Sequence, residues 1–583
     1  MWCCNHVVLS PQVMDHVVLS PAGAESSLLL ALPDPWLLQV LQCCANDHRS
    51  LFSAARAHSR LHQAAVVALR SITLVISQQQ QMDGLMVYLG KHGQQVNSLE
   101  LRAQKANHEH PKIHLHQLPL QLQLSSLQLE GFILQLQPGS GSQGVLGAAA
   151  TVAALRQLRL TDCELLDEDE AAALSQLPAG LEHLSISYNM VGDEERRVSL
   201  PAGMLQQWPN LNLTYLELGY LEVVGPDGDA PGEDSPLQQL QALTRLKGLT
   251  LVALGEVVTP SVLAGMQHLT RLEMIDDDNN GVDLEPDALA GKTRMQHLDF
   301  GTCKLRGGAA GAAQLLSHLQ SMQQLTHLSV CEDVVLAGGN PPASAYAALT
   351  ASSKLQYLDI WYQTLPAGVW QHVFPAGRQL PNLQTLKFSC WTLKLFSFWG
   401  NYKELNPAPE GSRLVSCCPG LQSLHLGSLQ CSAELLAPLQ GLSRLQTLEC
   451  YLRDAAVEVV QAVCQLTGLR ELTVTGSVCE EQGGSLMHLA QLKQLTKLDL
   501  SCWFPGKSRS PVKLSGEQQT VGLYLCLYDI RALLPNAFSQ HHQAVLCVPD
   551  DVGALRVGPS HTCGTRVTTA INPFNGLQYS TVQ

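Results

Sequence analysis

Aromatic residues are scarce, 5% of 583 positions, and charged residues make up only 15%. A chain this long with so few rings does not fill one bulky core; it needs several domains or thin stacked layers packed by aliphatic side chains. There is no Lys/Arg block and the formal net charge is −14, which excludes an extended phosphate-binding surface and with it a nucleic-acid partner. No apolar stretch approaches the ~20 residues of a membrane-crossing helix. The start, Met1-Trp2-Cys3-Cys4, lacks the basic region and apolar run of an export signal. The eighteen cysteines include no C-x-x-C pair and are spread over the chain, so they read as reduced, with Cys163 and Cys303 as small buried residues at turns after strands. These absences leave a protein partner, no membrane contact, and a cytoplasmic location with the nucleus also open to it.

Catalytic signatures are missing too: no H-E-x-x-H, phosphate-loop lysine or G-x-S-x-G occurs, so no catalytic residue and no cofactor are assigned and the chain is not read as an enzyme. Gly139-x-Gly141-x-x-Gly144 spells the dinucleotide fingerprint. Pro138 disturbs its strand-to-glycine turn, however, and it reads as a loop. Asp276, Asp278 and Asn280 copy the start of a calcium loop, oxygen donors at alternate positions before Gly281. The twelfth position is Asp287 in place of a bidentate Glu, so this weak metal candidate reads as an acidic solvated loop.

What is present is a phrase, L-x-x-L-x-L, recurring roughly every 28 residues. Its central residues are Ile72, Leu99, Leu127, Leu158, Leu184, Leu216, Leu249, Leu272, Leu298, Leu328, Leu358, Leu386, Leu424, Leu448, Leu472 and Leu498. The phrase is the signature of leucine-rich repeats. The expected fold is α/β: a right-handed solenoid, or horseshoe, of about 16 repeats over 67–505, with a parallel sheet on the concave face and helices outside. Segments such as Asp167 to Leu177 and Ala309 to Leu319 carry apolar residues at helical spacing. Residues 1–27 are expected to be disordered, and 506–583 to form a cap and a poorly ordered tail.

Leucines at alternate strand positions point into the core, so the residues between them point outward. On that parity Tyr357, Asp359, Trp361 and Lys387 are outward, flanked by Tyr362 and Trp391 in loops after the strands. Large aromatics there supply contact area with a polar handle, the chemistry of binding hot spots. His297, Asp299 and His327 join this partner-binding set. The histidines read as surface polar residues, because on separate repeats they share no carboxylate or cysteine at metal-ligand spacing. Outward acids such as Glu217, Glu273, Glu449, Glu471 and Asp499 outnumber basic residues and favour a basic partner.

Before the repeats, residues 28–66 form a different module. Leu32-Pro33-Asp34-Pro35-Trp36-Leu37-Leu38-Gln39-Val40-Leu41 sets a helix start followed by apolar residues at helical spacing, and a segment rich in small and basic residues follows through Arg60-Leu61. The module resembles the F-box, and the whole resembles the F-box/leucine-rich-repeat family. That resemblance implies that Leu32, Pro33, Leu37, Leu38, Val40 and Leu41 dock on the adaptor of an SCF-type, cullin-based ubiquitin ligase while the repeats hold a protein substrate. The pattern departs where Arg60-Leu61 stands in place of the tryptophan usual near the end of the box. A second reading stays open, in which these helices only cap the first repeat and the protein is a scaffold; the Ala-, Gln- and Gly-rich style is similar to green-algal repeat proteins linked to the ciliary axoneme.

Overall fold

The computed structural model describes residues 71 to 503 apart from several loops, of which 135–153 and 390–408 are the longest, together with 544–548, 567–571 and 578–582. The F-box-like residues Leu32, Pro33, Leu37, Leu38, Val40 and Leu41, the Gly139 fingerprint, the calcium-like Asp276, Asp278 and Asn280, Tyr362 and Trp391 lie outside the described residues. The chain divides into two compact units, Met1–Asp283 and Leu284–Gln583.

The fold is α/β with sixteen parallel sheet strands, eight in each unit. The first unit holds β1 (Ser71–Ile76), β2 (Ser98–Ala103), β3 (Ser126–Glu130), β4 (Gln157–Thr161), β5 (His183–Ser187), β6 (Tyr215–Gly219), β7 (Gly248–Val252) and β8 (Arg271–Ile275). The second holds β9 (His297–Asp299), β10 (His327–Val330), β11 (Tyr357–Trp361), β12 (Thr385–Ser389), β13 (Ser423–Gln430), β14 (Thr447–Arg453), β15 (Glu471–Ser477) and β16 (Lys497–Trp503). Every central residue of the recurring phrase falls in one of these strands. Within each unit the central residues face one another in register: Ile72 with Leu99 and Leu249 with Leu272 in the first, Leu298 with Leu328 and Leu472 with Leu498 in the second. From Ile72 to Leu472 they are at most 1% exposed. Each such side chain contributes about 1.5–3 kcal/mol through burial, and a one-residue slip would turn the whole set toward water. Leu498, in the last of the strands, is half-buried.

Two local devices hold the register. Ahead of most strands an apolar residue, usually leucine, closes a tight turn, as when the Leu246 amide donates to the Leu243 carbonyl (3.1 Å) and that of Leu421 to Cys418 (3.1 Å). Two successive amides then share one carbonyl of the preceding strand's start: Thr270 and Arg271 both donate to Lys247 O (2.8 and 2.9 Å), and Thr326 and His327 both to Gln296 O (2.8 and 3.0 Å). Where Thr precedes the strand, its hydroxyl reaches the same carbonyl, at 3.1 Å for Thr270 and 2.9 Å for Thr326.

Three strands of the first unit leave through a left-handed residue. Gly131, Asp162 and Tyr220 have φ of 78°, 53° and 54°, and their amides donate to the next strand at Thr161, Ser187 and Val252 (2.8–2.9 Å). Short second ladders follow, His114–Leu115 with Ile133–Leu134 and Glu164–Leu165, and Val198–Pro201 with Leu221–Val224.

The connectors differ from the expected run of outer helices. Among the described residues two helices reach fourteen residues, α1 (Gln79–His92) and α2 (Gly308–Ser321), the latter covering the anticipated Ala309–Leu319 with Leu315, Leu316 and Leu319 buried. Other connectors are shorter helices or 3-10 turns such as Pro236–Ala242, Pro286–Leu289 and Ala437–Gly441. The second ladders and closing turns consume residues a helix would need. Asp167 to Leu177 falls mostly outside the described residues. In the tail, 544–548 and 567–571 flank 578–582 in a three-stranded antiparallel sheet.

Cys163 and Cys303 are 1% and 0% exposed and free, as are Cys417, Cys418, Cys431, Cys450 and Cys464, all buried. Burial pushes the Cys163 thiol up to about 12, so it stays protonated and unreactive at neutral pH.

Candidate functional site

On the outward side each strand presents the residue before its central leucine and the residue after it. Parallel strands lie about 4.8 Å apart, so equivalent side chains form rows and flat ones stack. In the second unit His297 stacks on His327 (ring centroids 4.0 Å, 14° between planes) and His327 on Tyr357 (4.0 Å, 6°). The Tyr357 hydroxyl donates to Asp359 Oδ2 at 3.1 Å, and Lys387 Nζ sits 5.3 Å from the Tyr357 ring centroid, a cation–π contact. Burial first, then the charge of Asp359, pushes the Tyr357 phenol well above its ordinary range. Asp359 is only 5% exposed, so it anchors Tyr357 and offers little surface of its own.

In the second row Asp299 follows Leu298, and its Oδ1 accepts from the Gly301 amide at 2.9 Å. The register pairs His297 with His327 and Asp299 with Ser329. One ligand atom each of His297, Asp299 and His327 lies within 4.8 Å of the others, all three residues half-buried. The expectation that these histidines share no carboxylate at metal-ligand spacing is therefore corrected: distance along the chain is large, but the parallel register cancels it. The signal was in the sequence, since His297 and His327 each stand one residue before a central leucine, and Asp299 one after.

The first unit carries a shorter stack, His183 on Tyr215 (4.2 Å, 19°). Here the tyrosine leans onto the next strand. Its hydroxyl bonds Thr250 Oγ1 at 3.0 Å, and a Cβ built on Gly248 would meet Tyr215 Cδ2 at 2.6 Å. Ser185 and Thr250 donate to Glu217 and Glu273, both at 2.9 Å. Desolvation lowers the His183 pKa against the opposing charge of Glu217.

A third cluster was not anticipated. Ser423 Oγ lies 2.8 Å from His425 Nε2, and His425 Nδ1 lies 2.8 Å from Glu449 Oε2. The hydrogen bond to His425 draws the Glu449 carboxyl below its usual value. The atom order is that of a serine-histidine-acid triad. Yet the amides of Gln422, Ser423 and Thr447 are all given to carbonyls of preceding strands (2.8–3.0 Å), so they cannot stabilise an oxyanion beside Ser423. The chain of bonds locks the row in place.

Of the remaining predicted residues, Trp361 closes β11 with its side chain outside the described residues. The outward acids are engaged by their neighbours: Glu273 by Arg271 (2.5 Å) as well as Thr250, Glu471 by Lys497 (3.6 Å), and Glu100 by Arg102 (2.6 Å). That pairing reduces the charge they can offer a basic partner.

No protein-family model matches the chain, and no curated protein matches it. Among the described residues no helix is long and apolar enough to cross a membrane.

Proposed function

We propose that the chain is a leucine-rich-repeat solenoid acting as a non-catalytic adaptor, which holds a protein partner against the outward rows of its sheet. The observation that carries this reading is the row His297, His327, Tyr357 with Lys387 beside it, a polar-aromatic strip on the surface that the buried leucines leave outward. Flat rings already held in a stack lose little side-chain entropy on binding, which favours recognition of a protein surface. The ladder supplies rigidity, because strand amides are spent on neighbouring strands.

The F-box-like head extends the reading. Residues 28–66 would join the partner to an SCF-type ubiquitin ligase, making the chain its substrate-recognition subunit in the cytoplasm or nucleus. The test uses the full chain in two arms. Leu37→Asp should abolish co-purification of the ligase adaptor, and Tyr357→Ala with Lys387→Ala should weaken partner capture at least tenfold while circular dichroism stays unchanged. Failure to recover the adaptor with the unaltered chain removes the ligase assignment and leaves the scaffold reading, in which the head is a cap. Undiminished capture by the double variant moves the interface off this strip.

A further inference from the structure

We propose that His297, Asp299 and His327 form a binding site for a divalent transition-metal ion of the zinc or cobalt class. The three donors come from adjacent strands whose register is fixed by the buried pair Leu298 and Leu328, so the scaffold of the site is rigid. Their ligand atoms already lie within 4.8 Å of one another. Two imidazole nitrogens on a tetrahedral ion sit about 3.4 Å apart, a difference that small rotations of the rings close.

The donor set selects the metal. Two imidazoles and one carboxylate suit zinc, cobalt or nickel, whereas calcium and magnesium take oxygen donors. Asp299 has the support expected of a ligating carboxylate, since Oδ1 is held by the Gly301 amide (2.9 Å) while Oδ2 can face the ion. Tyr357 covers the far face of His327 and turns its hydroxyl to Asp359, which keeps that second carboxylate on the tyrosine. Three protein donors leave a fourth position for water or for a donor from a bound protein.

The stack itself is not coordination geometry. Rings 14° from parallel aim their lone pairs side by side, so a bound ion turns His297 and His327 toward a common point at the expense of their stacking. The first unit contains the matching control: beside His183 the same positions hold Tyr215 and Ser185, neither of them a donor for such an ion.

The experiment titrates cobalt(II) chloride into the untagged full chain and reads the visible absorption of the bound ion, followed by displacement with zinc chloride. One equivalent of cobalt should give the spectrum and zinc should remove it. His297→Gln and His327→Gln should each weaken binding roughly 100-fold, and Asp299→Asn roughly tenfold, with far-UV circular dichroism unchanged. His183→Gln should bind as the unaltered chain does. No spectrum at millimolar cobalt overturns the site, and so does equal binding by the His297 and His327 variants. Metal binding is read without any protein partner, so it stands or falls separately from the adaptor reading.

Discussion

His183 with Tyr215 in the first unit and His327 with Tyr357 in the second are the same pair at the same strand positions, yet their surroundings differ. Tyr215 lies over Gly248 and bonds across to Thr250, whereas Tyr357 bonds back to Asp359 on its own strand and leaves its outer side to Lys387. One neighbour decides this. A glycine in the next strand invites the ring to collapse onto it, while Thr385 at the equivalent position, registered opposite Tyr357, has a side chain in that space. The second unit also adds a histidine ahead of the pair and a carboxylate below it, which turns a stack into a set of donors.

Leu216→Ala and Leu328→Ala remove fully buried central leucines and should each cost about 2–5 kcal/mol in urea unfolding; a loss below 1 kcal/mol in either would show that the strands are not held by this core. Next in size, Gly248→Ala forces the Tyr215 ring aside and should cost about 1–3 kcal/mol. Tyr215→Ser should remove most of that cost in a double-mutant cycle, and additivity would mean that the glycine answers to something else.

pH sharpens the contrast. Burial lowers the His183 pKa, so the unfolded chain binds the proton more readily than the folded one. Stability is then complete above about 6.5 and declines as pH falls from there toward the folded value. His183→Gln should flatten that stretch of the stability curve. Glu449 acts lower: its folded pKa is depressed by His425, so its contribution is present above its ordinary value and lost as pH falls through the folded one. His425→Ala should erase that acid-side loss, and an unaltered curve would refute the coupling. The smallest effect belongs to the charged rows. Arg102, 55% exposed beside Glu100 and Glu130, should cost at most about 0.5 kcal/mol as Arg102→Ala, and a larger loss would show that this row does more than solvate the face.

The strands were legible in the sequence because a leucine that must be buried in every layer leaves a mark that nothing else in the chain imitates, as at Leu184, Leu298 and Leu424. Row partners were harder. His297 and His327 become neighbours only after both are counted from their central leucines, and no local property of either segment announces the stack. The triad-like order of Ser423, His425 and Glu449 depends on rotamers that spacing does not specify. Helical spacing was right for Ala309 to Leu319, where small residues open the helix and leucines fill one side. It overstated helix elsewhere, because the connectors must also close a turn onto the next strand, as those at Pro236–Ala242 and Pro286–Leu289 do.

The carbonyl shared at most strand starts has a consequence for how such a surface changes over generations. Because main-chain hydrogen bonds and the buried leucines secure the layers, an outward side chain can be exchanged without disturbing the one beneath it, except where a neighbour such as Tyr215 has already claimed the space. Each layer thus behaves as a slot with a nearly free choice of occupant, and a new specificity can be assembled one substitution at a time from a scaffold that stays folded throughout.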